Sequence, residues 1–386
     1  MIKKIIIIVL GIIIISGGLY YYLTNNDEEI TNNKSSATFE TKSEIDSKFD
    51  GYETYDIKLS NEDVTITKKG VYNITGSLDG HNITVDTEDN VLLILNGVTI
   101  TSDNPGIYVK SAKNTYIKLI GKNTITGSSN ADLDASIYSK DDLILYGDGS
   151  LKIESGNDGI SSKDDLTIYD GTYNITSTGE GIKGKDSVTI NDGTFNIKST
   201  ETSIKTTNED EKGDLTINGG TFNLQSSNDG IHAKGKIEIN NGTFEIEAVE
   251  GLEATYIVIN DGTINIKASD DGINATSKSN ANTYSVKIEI NGGEINIDMG
   301  QGDTDAIDSN GDLYINGGTI NINAQSPFDY DGVGELNGGT LTVNGNKTNE
   351  LQNQMMGGND MNMEGAAPQN GEAPQQGNRQ TPPSRR

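Results

Sequence analysis

Residues 158–334 repeat one short pattern about eight times. Each copy runs from an acidic residue through Gly and Ile to a short polar stretch. An alternating apolar segment follows, then Asn-Asp-Gly-Thr or Asn-Gly-Gly-Thr, then a second alternating segment. The glycine of that turn serves as a marker: Gly171, Gly193, Gly220, Gly242, Gly262, Gly293, Gly318 and Gly339. Marker spacings are 20 to 27 residues, with one of 31. A period in this range is the signature of a solenoid, and the internal period of two makes its unit a strand.

Apolar residues hold a fixed register to the marker. Two positions after it stand Tyr173, Phe195, Phe222, Phe244, Ile264, Ile295, Ile320 and Leu341. Four positions after it stand Ile175, Ile197, Leu224, Ile246, Ile266, Ile297, Ile322 and Val343. Three positions before it stand Ile168, Ile190, Ile217, Ile239, Ile259, Ile290, Ile315 and Leu336. Residues two apart on a strand share a face. One turn cannot bury such a face alone, but stacked turns make continuous apolar columns. The pattern predicts an all-β fold, a right-handed parallel β-helix, with the hand taken from the preference of parallel crossovers. Two positions before the marker, Asn191, Asn218, Asn240, Asn260, Asn291, Asn316 and Asn337 form a column whose stacked amides suit a structural ladder. A β-propeller blade needs about 40–50 residues, twice this unit.

The remaining segments differ in kind. Residues 5–23 are almost wholly apolar, follow Lys3 and Lys4, and precede Asp27, Glu28 and Glu29. That length spans a bilayer, and the charge bias places the rest of the chain outside the cytoplasm. Residues 1–23 thus read as a signal anchor, with a cleaved signal peptide as the alternative. This is the only expected membrane contact. Residues 24–50 read as a flexible stalk, 51–346 as the β-helix, and 347–386, rich in Gln, Asn, Gly and Pro, as a disordered tail. The first turns, from Tyr52 onward, alternate less regularly than the later ones.

The chain has no cysteine, which excludes disulfides, thiolate metal sites and lipidation through an N-terminal Cys. Its net charge of −28 argues against nucleic acid as a partner. The charge is concentrated. Two positions before the Ile that opens each repeat stand Asp158, Glu180, Asp229, Glu250, Asp271 and Asp305, with Asp331 in the last turn and Thr202 as an interruption. Stacked about 4.8 Å apart, neighbouring charges repel by roughly 3–4 kcal/mol at an effective dielectric of 20. Lys183 and Lys205, directly after the Ile, answer this in the middle turns, with Lys140, Lys163, Lys185 and Lys234 nearby. In the later turns Glu253, Asn274 and Asp308 take that position, and Asp303 stands close by. An oxygen-only donor set of Asp229, Glu250, Glu253, Asp271, Asn274, Asp303, Asp305 and Asp308 points to Ca²⁺. A solvated acidic ridge is the alternative. His81 and His232 read as surface or stack residues rather than catalytic bases.

The N-terminal half carries Lys69-Gly70-Val71-Tyr72-Asn73-Ile74-Thr75-Gly76-Ser77-Leu78 and Val91-Leu92-Leu93-Ile94-Leu95-Asn96-Gly97-Val98-Thr99-Ile100. Ile107-Tyr108-Val109-Lys110-Ser111-Ala112, Ile137-Tyr138-Ser139-Lys140-Asp141-Asp142-Leu143 and Asn157-Asp158-Gly159-Ile160-Ser161-Ser162-Lys163-Asp164-Asp165-Leu166 follow. This ordered series resembles the bacterial extracellular carbohydrate-binding domain proteins with a pectate-lyase-like β-helix. The resemblance covers residues 52–346. It implies binding of cellulose and of acidic sugars such as polygalacturonate, with bound calcium. The residues supply their own candidate surface: three positions after the marker stand Asn174, Asn196, Asn223, Glu245, Asn265, Asn296 and Asn321, facing away from the apolar columns. The six amides are the expected carbohydrate-binding residues; decoration of a soluble sheet is the other reading. With no Trp and an inward aromatic column, a flat cellulose platform is poorly supported, and Ca²⁺-bridged uronate binding suits the charge better. A Ca²⁺-dependent polysaccharide lyase, with Lys163, Lys185, Lys205 or Lys234 as base, and a structural surface adhesin are the alternatives to a non-catalytic binder.

Overall fold

The computed structural model describes residues 40–127, 129, 132–210, 213–278, 280, 283–300 and 304–353. The expected anchor, most of the stalk, most of the tail and Asp303 lie outside these residues. Contacts divide the chain at Asp50 into two units. In the first, a helix forms over Lys42–Ser47, closed by reciprocal bonds between Thr41 and Glu44, so the described end of the segment read as a stalk carries ordered structure. Among the described residues no helix is long and apolar enough to cross a membrane.

The second unit is a parallel β-helix of three strands per turn. In the turn that starts at Asp158 these are Asp158–Ser162, Asp165–Ile168 and Thr172–Ser177. The first strands of all turns make a 12-stranded sheet. The second and third strands make two further stacks. In the early turns the 13-residue strand Asn90–Ser102 pairs with both Asn114–Ile120 and Lys122–Gly127, which joins the stacks into one 24-stranded sheet. This long strand is why the alternation of the early turns looked irregular.

The predicted columns are the observed pairings. Tyr173 pairs with Phe195, then Phe222, Phe244, Ile264, Ile295, Ile320 and Leu341, and all are buried. The four rings stack with centroids 5.0, 4.8 and 4.5 Å apart and planes within 6°. Each such contact is worth about 0.5–1.5 kcal/mol beyond area burial. The Ile168 column and the Ile160, Ile182 and Ile204 column are likewise in register. Leu166, Val188, Leu215, Ile237, Ile257, Ile288 and Leu313 add a buried column that the marker-based reading did not single out. Asn191 through Asn337 form the expected ladder, each amide nitrogen donating to the previous amide oxygen at 2.8–2.9 Å.

The marker glycines adopt φ between +84° and +130°, a region closed to most other residues. A Cβ at Gly220 would also lie 3.0 Å from the Gly193 carbonyl oxygen. At the C-terminal end the chain turns at Asn344-Gly345, both with positive φ, and Asn346–Thr348 pairs antiparallel with Leu341–Val343. Asn-Gly favours such a tight turn, so the regular structure runs two residues past the predicted end.

Candidate functional site

The outward face of the third-strand stack is built by alternation. In Thr172–Ser177, Tyr173 and Ile175 are buried while Asn174 and Thr176 face solvent. The same register carries Asn174 onto Asn196, Asn223, Glu245, Asn265, Asn296 and Asn321. Asn196 Nδ2 donates to Asn174 Oδ1 at 3.1 Å. In the later turns Asn265 donates to Glu245 at 2.6 Å, Asn296 to Asn265 at 2.8 Å and Asn321 to Asn296 at 2.8 Å. A side-chain amide has two N–H donors and two oxygen lone pairs. The ladder uses one of each, which leaves the other donor and lone pair for a ligand.

Two shallow grooves cross this column. One of about 530 Å³ is lined by Glu245, Asn265, Lys267, Asn296, Asp298 and Asn321, among others. The other, about 280 Å³, includes Asn174, Asn196 and Asn223 beside Lys152 and Lys198. All six asparagines expected to contact sugar therefore line a groove.

The acidic column lies on the first-strand stack, away from this face, and divides in two. In the middle turns it is neutralised by lysine. Lys183 Nζ contacts Asp158, lies 3.2 Å from Asp134 and 3.6 Å from Glu180, and Lys205 Nζ lies 2.9 Å from Glu180. Burial would strip the proton from Lys183, but Asp158 and Glu180 reverse this and hold it well above the usual lysine range. Of these two carboxyls, Asp158 buried and Glu180 half-buried, Asp158 is pushed up by burial and by Glu180. Glu180 is held low despite its burial, by Asp158 and both lysines.

One turn on, His232 occupies the column position of Lys183 and Lys205. Its Nδ1 lies 2.9 Å from Asp229 Oδ2 and 2.6 Å from Glu253 Oε2, and Lys278 contacts the other Glu253 oxygen. Burial acts against the charged imidazole, yet the two carboxylates raise its pKa, and His232 with Lys278 holds Glu253 low. Glu250, half-buried beside Glu253 and Asp229, is pushed up to about 8, first by burial. His232 is thus a stack residue, as expected, and also joins the acidic column. Its place directly after Ile231 was the available signal. Thr202, the interruption, donates to Asp229 Oδ2 at 3.2 Å.

In the last turns no lysine takes that position. Glu253 is followed by Asn274, Asp308 and then Asp329, a further carboxylate outside the expected donor set. Asp308 is pushed up to about 7, first by burial and then by Asp271, Asp329, Asp305 and Asp331. Asp271 rises to about 6, first by burial. Among the described residues, trios of ligating atoms within 4.8 Å occur at Asp229–His232–Glu253 and Asp142–Asp164–Asp165. The oxygens of Asp271, Asp305 and Asp308 do not gather that closely.

A family profile for carbohydrate-binding domain-containing proteins matches residues 60–303 and 252–331. The chain belongs to this family. A carbohydrate-binding domain-containing protein of Acetivibrio thermocellus is 35% identical over 126 residues, which cover 29% of this chain and 44% of that protein. The chain therefore matches under half the length of this carbohydrate-binding domain relative. A solved structure of the polysaccharide lyase-like protein from C. thermocellum, a gadolinium derivative, is 26% identical, with a TM-score of 0.45 over 55% of this chain and 92% of that one.

Proposed function

We propose that this chain is a non-catalytic binder of acidic polysaccharide, held at the cell surface by residues 1–23 and assisted by Ca²⁺. The observation that carries the reading is the unbroken outward column Glu245, Asn265, Asn296 and Asn321 along one groove. At about 4.8 Å per turn, Asn265, Asn296 and Asn321 present an amide donor and acceptor one after another beside the acceptor-only Glu245, which suits a linear polymer of repeated hydroxyls. In a chain of charge −28 a polyanion needs local cations. Lys152 and Lys198 flank the earlier groove and Lys267 the later one.

Calcium fits the last turns of the acidic column. Asp271, Asn274, Asp305 and Asp308 offer only oxygen. Asn274 is 8% exposed, and its Oδ1 has no hydrogen-bond partner; nor has the Oγ1 of Thr304, which precedes Asp305 in the chain. Asp229 and Glu253 suit a hard ion less well, because His232 and Lys278 already hold them. Three lysines considered as lyase bases sit in ion pairs: Lys163 with Asp134, Lys205 with Glu180 and Lys234 with Glu209. A lysine that neutralises a carboxylate is poorly placed to take a proton from a sugar, which favours a binder over a lyase.

The test is retention on immobilised polygalacturonate and on cellulose, each with calcium and with chelator. Retention on polygalacturonate, weakened by chelator, is expected. Retention on cellulose alone would overturn the acidic ligand, and release of unsaturated products would overturn the non-catalytic reading.

A further inference from the structure

The middle of the acidic column has a donor set unlike that of its ends. Asp229, His232 and Glu253 are 4%, 7% and 5% exposed. Both carboxylate oxygens converge on one ring atom, His232 Nδ1, at 2.9 and 2.6 Å. A single N–H proton points along one direction and serves one acceptor well. Two buried acceptors on one nitrogen are the arrangement a cation between the three atoms would satisfy completely. The surroundings orient the trio. Thr202 Oγ1 and Asn228 Nδ2 donate to Asp229 Oδ2 at 3.2 and 3.4 Å, and Lys278 holds the far oxygen of Glu253. Such outer partners fix ligand orientation in metal sites. His232 Nε2 is buried without a hydrogen-bond partner, so the ring's surroundings are not those of an imidazolium satisfied at both nitrogens.

We propose that Asp229, His232 and Glu253 form a site for a first-row transition dication of the zinc class, separate from any calcium in the later turns. One imidazole nitrogen and two carboxylate oxygens are ligands that zinc accepts at about 2.0–2.2 Å. Tetrahedral ligands at that distance stand about 3.4 Å apart, so the trio needs to open by less than about 1 Å. The imidazole nitrogen selects against Ca²⁺, which takes oxygen donors. A dication here would offset Asp229 and Glu253 as Lys183 offsets Asp158 and Glu180 two turns earlier. The proposal does not depend on the glycan.

The chain has two histidines, which makes the test direct. Full-length protein with ¹⁵N-labelled histidine is titrated with Zn²⁺ and, separately, with Ca²⁺. The expected result is that one imidazole Nδ1 resonance moves and saturates at one equivalent of Zn²⁺, is absent in His232→Asn, and is unmoved by Ca²⁺. A second variant, Glu253→Gln, retains the ring and is expected to weaken Zn²⁺ by at least about tenfold. Movement of His81 alone, movement of neither ring, an equal response to Ca²⁺, or unchanged Zn²⁺ affinity in Glu253→Gln would overturn the proposal.

Discussion

At the scale of single residues, Lys183 is the point on which the middle turns balance. Its side chain is 12% exposed and faces Asp134, Asp158 and Glu180. Lys183→Met keeps most of the volume and leaves these carboxylates without their nearest cation. Urea unfolding is expected to report a loss of about 3–5 kcal/mol near pH 8. The loss should shrink toward pH 4. Asp158 sits at about 7 in the folded chain against an ordinary 3.8. The folded chain therefore keeps a proton that the unfolded chain releases between those values, and stability falls as pH rises through that window. The variant widens this effect, so a deficit independent of pH would contradict the account. The lysines were legible in the sequence because each stands at a constant offset from an inward Ile. His232 is harder to read, because a lone histidine in the sequence does not announce itself as the next member of the Lys183–Lys205 column.

At the scale of elements, each strand of the third stack presents a buried face and an outward face. Phe222 is buried in the ring stack, and its neighbour Asn223 faces the earlier groove. Phe222→Ala is expected to cost about 3–5 kcal/mol of stability and to leave polygalacturonate affinity unchanged below the unfolding transition. Chemical denaturation and titration calorimetry on the same sample check both halves. A loss of affinity matching the loss of stability would show that the faces are not independent. Strand identity and facing were legible because the period of two holds for eight markers. The Leu166 column escaped because the marker-based alignment followed other offsets, and the final Asn346–Thr348 strand because its antiparallel partner breaks the parallel pattern. Which stack each column belongs to was not legible either. The outward asparagines and the acidic column lie on different stacks, a separation set by where the chain turns between strands, which the offsets from the marker do not encode.

At the scale of the whole molecule, the parallel stack forces carboxylates together that the unfolded chain keeps apart. If Asp271, Asn274, Asp305 and Asp308 hold Ca²⁺, calcium at a hundredfold excess over its dissociation constant adds about 2.7 kcal/mol of stability. Sodium chloride at matched ionic strength gives only screening. Thermal melts in chelator, in calcium and in matched sodium chloride separate the two, and equal melting temperatures in the last two would mark the column as a solvated ridge. Binding along the groove is tested most directly by titration calorimetry with oligogalacturonides of increasing length. A polymer lying along the column gains a contact at each turn, so affinity should rise with length until the ligand spans Asn265, Asn296 and Asn321, and then level off. Asn296→Ala, at the centre, should weaken the long ligands by about 1 kcal/mol, roughly fivefold in Kd, without lowering the melting temperature to match. Affinity that ignores ligand length and is untouched by Asn296→Ala would contradict the account.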